Sequence, residues 1–162
     1  MPYEVRSARM SDLKTIETLY ARARAFMAAS GNPGQWGSTN PPVSRLLEDI
    51  ARENLYVLTE KGTIHGVFAL IPGEDPTYRS IENGAWNYDE PYATLHRVAG
   101  DGSGGILAAA VAYAETNYRY LRIDTHEKNH PMRRAIARAG FSYCGIIHIA
   151  DGTPRMAFDR RK

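Results

Sequence analysis

From Tyr3 to Arg9 the chain alternates apolar and polar residues, the pattern of a short strand. Leu13, Ile16, Tyr20, Ala23 and Met27 then recur at helical spacing and make one apolar stripe. Ser11 is placed to cap that helix, with Asp12 in its first turn. Gly31-Asn32-Pro33-Gly34 ends it and opens a loop through Pro42. A second amphipathic helix begins at Ser44 and carries Leu46, Leu47 and Ile50. Leu55 to Thr59, the turn Lys61-Gly62, and Ile64 to Ile71 predict an antiparallel hairpin. Pro72 to Glu90 is rich in Pro, Gly, Asn and acids and predicts a long loop, with a strand piece near Ala85-Trp86-Asn87. Loops of this length in a compact domain are often functional.

Thr94 to Ala99 predicts a strand that runs into the glycine-dense turn Gly100-Asp101-Gly102-Ser103-Gly104-Gly105. Ile106, Leu107, Ala110, Val111 and Ala114 mark an alanine-rich helix, and Tyr120 to Thr125 a further strand. Pro131 suits the first turn of the next helix, where a missing N–H costs nothing, and Gly140 suits its end. Two last strands, Phe141 to Ile149 and Arg155 to Phe158, flank the turn Asp151-Gly152-Thr153-Pro154. The order β-α-α-β-β-loop-β-α-β-α-β-β predicts a mixed α/β architecture with a central strand–helix–strand crossover. No repeat or linker interrupts it, so residues 1–162 read as a single domain.

Composition narrows the function classes. Hydrophobic residues make up 43% of the 162 positions, enough for a core, and charged residues 23%. A net charge of +2 is too mild for a nucleic-acid binder, and the basic runs Arg133-Arg134 and Arg160-Arg161-Lys162 read as solvated faces. The single cysteine, Cys144, sits in an apolar run and reads as a buried thiol, not a nucleophile. No window approaches the roughly 18 apolar residues of a membrane span, and no leader pattern opens the chain. A cytoplasmic protein is expected, acting without nucleic acid or membrane. Neither a monomer nor a homodimer is excluded.

The most informative stretch runs from His96 to Ile106. A strand enters its glycine turn and a helix leaves it. The first four N–H groups of a helix lack intrahelical partners and point outward with the positive end of the helix dipole. Glycines at 102, 104 and 105 clear the approach for a diphosphate. A plain turn is the competing reading. The stretch is not a P-loop, because no Gly-Lys-Ser/Thr follows. A nucleotide-binding module stays open, since Asp124 lies roughly 20 residues on, where a ribose-binding acid belongs.

These residues resemble the GNAT N-acetyltransferase superfamily over essentially the whole chain. The family's fourth strand runs into a loop of the form Gln/Arg-x-x-Gly-x-Gly/Ala before a helix, as Leu95 to Ile106 does here. Arg122 to Met132 looks like the fifth strand and the Asn-containing start of the next helix. Ala139-Gly140-Phe141-Ser142-Tyr143-Cys144-Gly145 looks like the Gly-Phe ending before strand six. Gln35-Trp36 and Asp151 to Phe158 resemble a small-molecule branch. The resemblance implies a mixed, mostly antiparallel sheet of six to seven strands flanked by about four helices. It also implies acetyl-CoA as co-substrate, no metal, and direct transfer to a primary amine of a small-molecule acceptor. Val98, Gly100, Gly102, Ser103, Gly104, Gly105, Ile106, Asn129 and Met132 are the implied cofactor contacts. Two positions depart from the pattern. Asp101 stands where a basic residue usually precedes the glycines, and Ile136 where a tyrosine usually protonates the departing thiolate. A GNAT-fold CoA-binding or sensor protein without chemistry is therefore the alternative.

An alkylammonium must lose a proton, at a pKa near ~10, before it attacks a thioester. A positioned base speeds such a step by roughly 10²–10⁴-fold. Candidates are Glu82 in the long loop, His96 on the fourth strand and His126 at the end of the fifth. His96 is preferred, because in this fold the fourth strand carries the thioester. An oxyanion donor, implied near Val98, is worth ~2.7–4 kcal/mol in other acyl-transfer enzymes. Asn129 is expected to bind pantetheine or to cap its helix, and Trp36, Trp86 and Tyr88 to line the acceptor pocket. His126 and His130 are spaced across a strand end, with no further ligands evident, so no metal site is expected.

Overall fold

The structure is a computed structural model that describes residues 3–162. Seven strands form one sheet: β1 (Glu4–Ser7), β2 (Leu55–Glu60), β3 (Thr63–Pro72), β4 (Ala93–Gly100), β5 (Tyr120–Thr125), β6 (Ser142–His148) and β7 (Pro154–Arg161). The spatial order is β1-β2-β3-β4-β5-β7-β6, and only β4 and β5 run parallel. Four helices cover it: α1 (Leu13–Ala29), α2 (Val43–Ala51), α3 (Ile106–Ala114) and α4 (His130–Arg138). This is the mixed, mostly antiparallel sheet that the resemblance implies. A dinucleotide fold would need a largely parallel sheet, so the nucleotide-module alternative falls.

Alternation along β2 and β3 divides the core. Leu55, Val57, Val67 and Ala69 pack with Ile16, Tyr20 and Leu46 of α1 and α2. Leu58, Phe68 and Leu70 pack on the other face with Leu107, Ala110, Val111 and Ala114 of α3 and Ile136 of α4. The alanines let α3 lie close to the sheet. Ile136 is fully enclosed, a burial worth roughly 1.5–3 kcal/mol.

The start of α3 is fixed by two missing side chains. A Cβ on Gly66 or on Gly100 would stand 2.7 Å from Ile106. Gly100 and Ile106 thus seat the helix against the end of the sheet, while Gly104 faces open space.

Several boundaries differ from the sequence reading. Ser11 does not cap α1. A 3₁₀ turn at Met10–Asp12 precedes the helix, and the Asp12 carboxylate instead binds Arg6 (2.8 and 3.0 Å) and the Arg9 N–H (2.8 Å). The proposed strand piece at 85–87 is absent; its neighbour Glu82 makes a single bridge with Ile146. Among the described residues no helix is long and apolar enough to cross a membrane.

Candidate active site

Strands β4 and β5 pair only at Ala93↔Leu121 and Thr94↔Arg122, and then part. The other edge of β5 is held along its length by β7. β4 is bent by a bulge in which Arg97 and Val98 together oppose Phe68, with Arg97 at φ 52°. The bulge resets the alternation, so that Leu95 and Val98, three apart, both reach the α3/α4 core. Tyr20 Oη donates to the Arg97 carbonyl at 2.7 Å, and the Arg97 guanidinium grips Asp49 of α2 at 2.8–2.9 Å. The strained turn is thereby tied to both helices of one face.

A cavity of about 680 Å³ occupies the fork between the parted strands. Its walls come from β4, β5, the start of α4, and the loops α1–α2, β3–β4 and β6–β7. Two hydroxyls that line it, Thr94 Oγ1 and Thr125 Oγ1, are fully buried and have no hydrogen-bond partner among the described residues.

His96 lines this cavity with its Nε2 3.0 Å from Asp75 Oδ2. Burial opposes the Asp75 carboxylate, but bonds from His96 and from the Thr77 side chain and N–H outweigh it and hold its pKa at about 2. An ionised carboxylate only accepts, so Nε2 carries a proton, and in the neutral ring the lone pair is on Nδ1. Behind this pair Tyr78 Oη donates to Asp124 Oδ2 at 2.6 Å, and its ring lies 6.2 Å from that of His96.

The low pKa of Asp75 has a measurable consequence. Its contribution to stability is complete above its unfolded value of 3.8 and is lost as pH falls toward 2. Asp75→Asn removes the titration. The stability gap between wild type and variant, measured by denaturant unfolding, is expected to narrow by about 2 kcal/mol between pH 5 and pH 2. A constant gap would mean that Asp75 titrates as it does in the unfolded chain.

Gln35 organises the wall opposite. Its Oε1 accepts from Asn32 (3.0 Å) and Asn129 (2.9 Å), and its carbonyl accepts from Arg155 Nη2 (3.0 Å). The α1–α2 loop is thereby locked to α4 and β7, which sets Trp36 at the cavity edge-on to Tyr20. Asn129 also caps α4 through Oδ1 to the Met132 N–H at 3.2 Å, and both residues line the cavity.

The glycine turn lies beyond the open end of β4. Gly102, Gly104 and Gly105 all have positive φ, and a Cβ on Gly104 would meet nothing within 4 Å. Asp101 turns inward: its carboxylate binds His65 Nδ1 at 2.7 Å and the Ser103 hydroxyl and N–H, and these bonds lower its pKa against burial. The acid that replaces the usual basic residue is thus engaged within the loop. A positive charge comes from α1, where Arg22 reaches to 4.0 Å from where a Gly102 Cβ would stand.

Other predicted residues lie elsewhere. Glu82 is exposed outside the cavity and pairs with His148 at 3.1 Å. Trp86 and Tyr88 belong to an aromatic cluster around the buried Arg122, whose guanidinium stacks 4.1 Å from the rings of Trp86 and Tyr92. His126 is outside the cavity wall, and burial followed by the charge of Arg155 lowers its pKa. Cys144 is buried with its thiol pushed up to about 12, first by that burial. No group of three His, Cys, Asp or Glu among the described residues is arranged to hold a metal ion. Sequence reasoning missed Asp75 and Asp124 as wall residues, and Tyr78 behind them. Asp75-Pro76-Thr77 is a legible capping signal, but nothing local says that the cap faces His96.

No protein-family model matches the chain, and no curated protein matches it. Solved structures do. A GNAT-family acetyltransferase from Streptococcus agalactiae 2603 superposes with a TM-score of 0.88 at 29% identity, over 99% of this chain and 95% of that one. The structure of yncA from Salmonella typhimurium with its cofactor acetyl-CoA gives a TM-score of 0.62 at 15% identity, over 98% and 93%. A ribosomal-protein-alanine N-acetyltransferase from Brucella melitensis gives 0.61 at 18% identity, over 98% and 99%. The latter two likenesses are ones of fold. With the forked sheet, the three likenesses bear out the fold read from the sequence, and the first supports an acetyl-transfer function: the chain has the GNAT acyltransferase fold and is similar, end to end, to a GNAT-family acetyltransferase.

Proposed function

We propose that this protein transfers an acetyl group from acetyl-CoA to the primary amine of a small molecule, with His96 as the base. The observation that carries this reading is the fork itself. One cavity joins a histidine of fixed tautomer to two unpaired strand edges and two orphan hydroxyls, and the glycine turn opens at the end of the same strand. Acetyl-CoA would supply the activated acetyl carbonyl. Gly102, Gly104 and Gly105, with the N–H groups at the start of α3, would hold its diphosphate, and Arg22 would add the charge that the turn lacks. Its pantetheine arm would lie between β4 and β5, within reach of Thr94, Thr125, Asn129 and Met132. Val98, beside the bulge, would offer its N–H to the developing oxyanion.

The acceptor amine would enter from the side of Trp36 and Asp75. The bound ammonium gives one proton to His96 Nδ1, which hands it to solvent; the neutral amine then attacks, its second proton leaves through the same nitrogen as the C–N bond forms, and the imidazolium formed each time is stabilised by Asp75. The C–S bond breaks, and the thiolate takes a proton from solvent, because Ile136 is sealed in the core where the family carries a tyrosine. The net reaction converts an ammonium and a thioester into an amide, a thiol and a proton.

The test is thiol release from acetyl-CoA across a panel of small amines, with acetyl-CoA binding measured by calorimetry on the same preparation. Saturable thiol release is expected. Binding of acetyl-CoA with no release for any amine would favour a CoA-binding protein without chemistry, the reading that Ile136 supports. No binding at millimolar acetyl-CoA would reject both.

A further inference from the structure

Among the charges that line the cavity, Asp124 and Arg155 meet no opposite charge within salt-bridge distance among the described residues. Asp124 on β5 lies directly opposite Ala157 on β7, so Arg155, two residues earlier on β7, stands diagonally beside it on the same face of the sheet. Both line the cavity, as does His96. Of the other charges that line it, Asp75 pairs with His96, Asp49 with Arg97, Glu48 with Arg52 and Glu74 with Arg79, while Arg45 and Asp151 are exposed at its rim. Asp124 accepts from the neutral Tyr78 hydroxyl and has no cation within 4.0 Å among the described residues.

Arg155 is the more unusual of the two. It is 4% exposed, yet no carboxylate comes within salt-bridge distance of it among the described residues. It makes three hydrogen bonds, all to neutral oxygens: Thr153 Oγ1 (3.1 Å), the Pro154 carbonyl (2.9 Å) and the Gln35 carbonyl (3.0 Å). A guanidinium has five N–H donors, and here Nε donates to nothing in the chain. Burial disfavours the guanidinium, and the nearby charges of Asp124 and Asp151 offset this only in part, so a carboxylate accepting from the free Nε would add the bond it lacks.

From this pairing we infer that the acceptor is a zwitterion: an amino acid, or a molecule with an amino-acid head group. Its carboxylate sits on Arg155, and its ammonium lies between Asp124 and His96 before the proton leaves. Asp124 attracts the amine as a cation and Arg155 orients it from the far side, so nitrogen is presented to the fork instead of the carboxylate. A plain alkylamine satisfies Asp124 and leaves Arg155 bare. This inference rests on the acetyltransferase reading of the site, and its test does not depend on turnover.

Calorimetry in the presence of CoA, with the proteinogenic L-α-amino acids one by one and then their methyl esters, decides the matter. At least one amino acid is expected to bind, with its ester at least ~10-fold weaker. The matching α-hydroxy acid, which keeps the carboxylate and lacks the ammonium, is expected to be weaker by a similar factor. Arg155→Met is expected to erase the difference between acid and ester, and Asp124→Asn, which can still accept from Tyr78, the difference between amino and hydroxy acid. Because Arg155 also pins Gln35, its variant is read only where the melting temperature shows it folded; the comparison of acid with ester on wild type needs no variant. Equal binding of acid and ester, or binding of no amino acid at all, would overturn the zwitterion. Acetyl-CoA binding in the same cell stands apart, and its failure would sink the acetyltransferase reading instead.

Discussion

His96→Gln is expected to lower kcat by ~10²-fold or more while CoA affinity stays within a few-fold of wild type. Glutamine is close to histidine in size, and its amide N–H can still donate to Asp75, so the local network persists. What disappears is the lone pair on Nδ1, the atom that Asp75 leaves unprotonated by occupying Nε2. The cofactor contacts proposed above involve none of the atoms changed. Both quantities are measured on the same folded variant, from thiol release and from calorimetry. A parallel loss of CoA affinity would make His96 a structural residue of the fork. Full activity would assign the proton to Asp124 or to water. Asp75→Asn separates the roles further: it keeps a hydrogen bond to His96 but no longer dictates the tautomer, so kcat is expected to fall with the pH profile displaced.

Gly104→Glu is expected to weaken CoA binding at least ~10-fold without unfolding the protein. The position is open, so no clash arises. Its φ of 85° makes a side chain there cost roughly 1–2 kcal/mol, a loss of a few degrees in melting temperature for a chain of this length. The new carboxylate lies beside the unpaired N–H groups of α3 and competes for the diphosphate's place. Gly104→Ala carries the same backbone strain without the charge and isolates it; its CoA affinity is expected to stay within a few-fold. Equal affinity for wild type and the glutamate variant would put the pyrophosphate somewhere other than this turn.

Both predictions follow from features with unequal roots in the sequence. The strands and helices were legible because hydrophobic period is local. Tyr120 to Thr125 is the observed β5, and the hairpin of β2 and β3 turns at Lys61-Gly62, both with positive φ. The glycine turn was legible because φ > 0 and an open helix start demand glycine whatever surrounds them. Asn129 before Pro131 likewise announced a helix start, and Asn129 caps α4. The helix N-terminus at Ser11 misled because Ser and Asp both favour caps, and Arg6, a residue of β1, recruited Asp12.

The site itself depends on distance through space. The bulge at Arg97 leaves no mark in the alternation of Thr94 to Ala99, since it is stabilised by Tyr20 and Asp49, 77 and 48 residues away. Glu82 and His96 are only 14 residues apart, yet one lies on the outer surface against His148 and the other in the fork beside Asp75. Trp86 and Tyr88 had the right chemistry for an acceptor pocket and serve instead to enclose Arg122. The sequence by itself determined the elements, the family resemblance and the turn before α3, because each is written in neighbouring residues. Which charges meet in the cavity was decided by the tertiary structure: the pairing of β5 with β7 sets Asp124 beside Arg155, and the energy of two charges depends on their separation in space and on the burial around them, neither of which a linear order of residues contains.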